Sequence, residues 1–147
     1  MPFTLSHAVL APPISYLTGN RLPVAALAIG SMVPDLHRLF THTNSNITHL
    51  WSSLIHPDLW IGLAFCAVWY LIYRFIGIQH DLKIHNILSA LKFILVMCLA
   101  VIIGTATHLI WDGLTHVDFR TFAFHNVLAQ HFQLLGQSYP LHRILQI

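Results

Sequence analysis

The sequence predicts an all-α fold, a polytopic integral membrane helical bundle with kinked or re-entrant helices at its amino end, in one domain spanning residues 1–147. Three observations predict it. Of 147 residues, 56% are hydrophobic and only 8% charged, whereas a domain facing water carries about a quarter charged residues. The five acidic residues are all Asp, set against seven Lys plus Arg, too few to clothe a soluble surface. Two apolar runs are each long enough to cross a hydrocarbon core, which takes about 20 residues.

At the amino end, MPFTLSHAVL lacks the basic region of a signal peptide and soon meets Pro12 and Pro13. Thr4 or Ser6 is placed to cap a helix starting just after His7. Two prolines interrupt residues 6–20, and residues 22–33 form an apolar segment too short to span alone, ending at Pro34-Asp35. Together these segments predict a helical hairpin or a re-entrant pair, which is tolerated at depth where protein surrounds it. Residues 41–53, THTNSNITHLWSS, read as an interfacial loop.

The spanning runs follow. Residues 59–78 contain one charge, Arg74, near their end, and residues 93–111 contain none. Arg74 and Lys92 can snorkel to one interface from the ends of this hairpin, whose link is short and polar. Residues 126–135 fit a short amphipathic helix. Arg74, Lys83, Lys92 and Arg21 fall on the hairpin-loop side, and Arg38 and Arg120 on the other. The loop is therefore expected to be cytoplasmic and the His-rich face outside. Cys66 and Cys98 lie in apolar runs as reduced thiols. Scattered basic residues and a net charge of +2 do not suit nucleic acid. No nucleophile elbow, Walker loop or dinucleotide fingerprint occurs.

Histidine is the polar residue in excess, at twelve, and it is the commonest metal ligand. In THLIWDGLTH, His108 and Asp112 are four apart, so a helix projects them from one side. His116 extends the stripe by a turn if the helix continues past Gly113. An imidazole and a carboxylate so placed can share one divalent ion, and an ionised Asp closing an apolar run needs a partner. A hydrogen-bonded His–Asp pair at a helix end is the alternative. Asp35 follows an apolar segment and a proline. It reads either as a turn or N-cap residue or as a partner at the membrane level of Asp112, where His56 also lies. His7 alone reads as a packed or capping residue. His49 and His56, seven apart, share a face only if that stretch is helical. Asp58 and Asp118 are expected to be exposed turn residues, with Asp81 in the remote loop. His37, His42, His80, His85, His125, His131 and His142 read as surface or interface positions.

MPFTLSHA, LPVAALAIGSMVPDL and THLIWDGLTH together resemble an uncharacterised bacterial family of small membrane proteins known as a domain of unknown function (DUF4184-like). That family resembles the YdjM-type membrane-bound metal-dependent hydrolases and, remotely, the zinc-dependent phospholipases C. The resemblance implies a metal held by His7, Asp35, His56, His108 and Asp112, with His116 orienting or protonating a leaving oxygen. Pro57 stands where family members have a small residue, and the later Glu ligand of the phospholipases has no counterpart. The ending SYPLHRILQI resembles the point where family members enter further helices, so a short or truncated member is expected.

The reading that follows is a multi-pass protein of the bacterial inner (cytoplasmic) membrane. It would be a metal-dependent hydrolase, cleaving a phosphoester or lipid with metal-activated water. Zinc is favoured, with manganese or iron as other ions of suitable chemistry. Its partners are membrane lipid and that substrate. The rival is a non-catalytic membrane module whose His/Asp cluster glues helices together or carries protons or metal ions.

Overall fold

The computed structural model describes residues 7–40, 47–76, 84–134 and 136–145, without the side chains of residues 38–40. Expectations for Thr4, Ser6, His42, His80, Asp81 and Lys83 fall outside these residues. A 3-10 turn, Ala8–Leu10, leads into α1, Ala11–Leu17. Pro12 and Pro13 stand in its first turn, where a missing N–H costs nothing. After a turn comes α2, Val24–Phe40. The amino end is thus a helical hairpin. Two 3-10 turns, Ile47–His49 and Trp51–Leu54, precede α3, Asp58–Phe75. The longest element is α4, Ile87–Thr115, opened by an Asn86–Ser89 capping box.

Among the described residues, α3 and α4 are the helices long and apolar enough to cross a membrane. Both leave large apolar side chains uncovered, among them Val68, Leu71, Ile94 and Leu95. The core helix of a soluble protein would bury these, so lipid suits them better than water.

The core lies where α2 crosses α4, with α3 beside them. It is built from Ala26, Leu27, Ile29 and Val33 of α2, Cys66 of α3, and Ala100 and Val101 of α4. Two glycines allow the close approach. A Cβ on Gly30 would lie 2.4 Å from the Val101 carbonyl oxygen, and one on Gly104 would lie 2.3 Å from that of Leu27. Small residues serve helix contacts in lipid in just this way.

Two expectations are corrected here. The segment does not end at Pro34, because α2 runs through it to Phe40. Pro34 has no N–H to give to the carbonyl four residues back. The Thr105 hydroxyl donates to that Gly30 carbonyl at 3.0 Å instead, so α4 replaces the lost bond and the helix persists. Residues 126–135 do not form one helix. A single turn, α5, His125–Leu128, is followed by strand β1, His131–Leu134, antiparallel to β2, Gln137–Pro140. A last turn, α6, is Leu141–Ile144.

Candidate metal centre

The proline that fails to end α2 places the first carboxylate. Because the helix continues, Asp35 sits on its inner end instead of in a turn, and the neighbouring carbonyls become anchors for other segments. Ser31 O accepts from His108 Nδ1 at 2.8 Å, and Pro34 O accepts from the Thr48 hydroxyl at 2.9 Å. The α4 helix carries His108 and Asp112, both buried, one turn apart on the side facing α2. Gly113 does not break it, and His116 is its C-cap residue.

These bonds set the proton positions. A carbonyl oxygen only accepts, so His108 carries a proton on Nδ1 and turns Nε2 to the interior. The Thr48 proton is committed to Pro34, and the Thr48 oxygen lies 3.4 Å from His49 Nδ1. His49 turns its Nε2 towards Asp35 and Asp112. Both Nε2 atoms are buried without a hydrogen-bond partner among the described residues. Such atoms are rare in folded proteins.

They face carboxylates. His49 Nε2 is 3.4 Å from Asp35 Oδ1 and 3.8 Å from Asp112 Oδ2, and His108 Nε2 is 3.5 Å from Asp112 Oδ2. An N–H···O bond has its donor and acceptor about 2.7–3.2 Å apart. Two donor atoms that each sit about 2.1 Å from a tetrahedral ion are separated by roughly 3.4 Å. The spacings match shared coordination better than direct bonding. Two overlapping groups have ligand atoms within 4.8 Å of one another, His7–His108–Asp112 and Asp35–His49–His108. Buried His and Asp side chains here can therefore hold a metal ion. His108 belongs to both groups but offers only Nε2, which binds one ion.

His7 is buried and stacks on His108, with ring centroids 4.0 Å apart. Burial pushes its pKa down to about 4, so its imidazole is neutral at pH 7 and able to ligate. His116 Nδ1 is 3.5 Å from Asp112 Oδ1. Burial lowers its pKa despite the Asp112 charge.

Arg120 closes the site from the far side. It donates to Asp112 Oδ2 at 2.7 Å and pairs with Asp118. Each carboxylate oxygen accepts more than one partner, so this bond leaves Asp112 a lone pair. Outer partners of this kind orient metal ligands. Gly113 makes room for the fold-back, because a Cβ there would lie 2.1 Å from the Phe122 ring.

The profile of a family described as "Domain of unknown function (DUF4184)" matches residues 1–147. The chain belongs to this family. Searches of the curated proteins and of the solved structures return no match.

In this DUF4184 chain, His7, Asp35, His108 and Asp112 converge, and His116 borders them. His56 does not join: it is exposed, just ahead of α3. His49 occupies the place expected of it. The condition for His49 and His56 to share a face is not met, because the stretch between them holds two 3-10 turns and not one helix. The one sequence signal favouring His49 is its place between Thr48 and the apolar Leu50-Trp51. Asp118 is exposed as expected, whereas Asp58 is wholly buried. As the first residue of α3 it lies with Oδ2 2.5 Å from the Ser53 hydroxyl oxygen, which removes it from the turn surface.

Proposed function

We infer that this chain is a multi-pass protein of the bacterial inner membrane whose centre holds one divalent ion and hydrolyses a phosphoester or lipid at the membrane face. The observation that carries the reading is the pair of buried Nε2 atoms of His49 and His108, without a hydrogen-bond partner among the described residues and turned towards Asp35 and Asp112. Without a cation or a shared proton, the facing lone pairs would oppose one another in a medium of low dielectric.

Asp35, His49, His108 and Asp112 would hold the ion, with His7 beside them. A mixed imidazole–carboxylate set favours zinc, and manganese or iron is chemically compatible. A bound ion of this kind lowers the pKa of water and polarises a phosphoryl oxygen. His116, half-buried beside Asp112, is placed to hold a proton near a leaving oxygen. Arg120 keeps Asp112 oriented. The motif resemblance to YdjM-type hydrolases drawn from the sequence, and the Lys/Arg distribution, favour a hydrolase facing away from the cytoplasm.

Metal content tests this. Detergent-purified protein should hold close to one zinc or other transition ion per chain, lose it to a chelator, and lose phosphoesterase activity with it. Protein that is stable, metal-free and unable to take up added zinc would overturn the reading. One observation favours a second reading, a structural polar cluster: Arg120 already compensates the Asp112 charge. That cluster would show no metal and no activity, and would still need Asp112 for assembly.

A further inference from the structure

Asp58 is 0% exposed and has no part in the centre described above. Its carboxyl meets one hydroxyl. Ser53 Oγ lies 2.5 Å from Asp58 Oδ2 and 2.6 Å from the Leu50 carbonyl oxygen. Ser53 has a single hydroxyl proton and the carbonyl has none. If both short contacts are hydrogen bonds, the Ser53 proton goes to Leu50 and the proton between Ser53 and Asp58 belongs to Asp58. The other oxygen, Oδ1, is buried without a partner among the described residues. A bare oxygen is tolerable on a neutral acid and costly on a buried anion.

We propose that Asp58 is a positioning residue, a neutral carboxylic acid whose hydrogen bond to Ser53 fixes the 3-10 segment that presents His49. The chain of bonds runs from the first turn of α3, through Ser53, to the carbonyl of Leu50, the residue that follows His49. On the other side of His49, Thr48 is bonded to Pro34 of α2. His49 is thus held between two helices, although it lies on neither. A ligand in a short 3-10 turn needs this support, because such turns are only marginally stable by themselves. Asp58 acts through Ser53 and touches no ion. The proposal rests on the metal reading for its consequence, but not for its geometry.

The test compares wild type, Asp58→Asn and Ser53→Ala, loaded with cobalt(II) in detergent. An Asn side chain supplies an N–H donor to Ser53 in place of the acid O–H. Cobalt affinity and the visible spectrum of Asp58→Asn should therefore stay within about threefold and unshifted. Ser53→Ala removes the hydroxyl link to Asp58 and leaves the Leu50 carbonyl held by the backbone N–H of residue 53 alone, so affinity should fall about 10- to 100-fold, the cost of losing an outer-shell partner, with a changed spectrum. Equal losses in both variants would show that Asp58 acts as a charge and overturn the proposal. So would a Ser53→Ala protein with wild-type affinity and spectrum. If wild type binds no cobalt, the metal reading fails and the positioning claim is judged separately, by diethyl pyrocarbonate mapping. His49 should then be protected in wild type and Asp58→Asn and reactive in Ser53→Ala. Equal protection in all three would overturn it.

Discussion

Residues 87–99 and 100–115 belong to one continuous helix, yet they are built for different surroundings. The first part carries Leu88, Leu91, Ile94, Leu95 and Leu99, all exposed, and no residue in it is buried. The second part carries Ala100, Gly104, Thr105, His108, Asp112 and Gly113, all buried. Exposed leucines and isoleucines crowd the first part, where Val96 and Met97 reach the core, and small or polar side chains join Val101 and Leu109 on the buried face of the second. Since lipid is as apolar as leucine, burial of oily surface drives little helix association there. Close contact and hydrogen bonds do more. The second part of α4 is therefore both the contact with α2 and the wall of the candidate metal centre.

Breaking that contrast should cost most at Gly104. A leucine there drives a side chain into the backbone of α2 and should destabilise the fold by more than about 3 kcal/mol. Leu95→Ala in the other half should change stability by less than about 0.5 kcal/mol. Thermal melts in detergent compare the pair, and equal melting temperatures would remove the distinction between the halves.

Asp112→Asn should come next, with the effect on function. It keeps the shape and removes the charge, so metal content should fall by at least about 100-fold in affinity, and phosphoesterase activity should go with it. Unchanged metal content would place Asp112 in a purely structural role. A smaller effect is expected at Thr105. Thr105→Val is nearly isosteric but leaves the Gly30 carbonyl bare, which should cost about 1–3 kcal/mol. A denaturation midpoint equal to wild type would mean that another donor reaches that carbonyl.

What was legible in the sequence followed helical periodicity. His108 and Asp112 show themselves through four-residue spacing inside an apolar run, and the long helices show themselves through length. Asp35 is visible as a charge at the end of an oily segment, although its place inside a helix is not. The rest was hidden for identifiable reasons. His49 sits in 3-10 turns, which leave no periodic signature, and its neighbours Asn44, Ser45 and Asn46 suggest a solvated loop. Asp58 follows a proline, a common turn pattern, while its burial depends on a serine five residues earlier. Pro34 reads as a helix end because the donor that rescues its helix comes from Thr105, a distant part of the chain.

That rescue also bears on how the protein is made. A ribosome delivers α2 before α4, and α2 emerges with one carbonyl that its own residues cannot satisfy. In hydrocarbon such a group costs several kcal/mol, so α2 has reason to wait at the interface. Its seat opens only when Thr105 arrives, more than seventy residues later. A nascent chain stopped before Ile87 should therefore leave α2 accessible to water-borne reagents, and the finished chain should not.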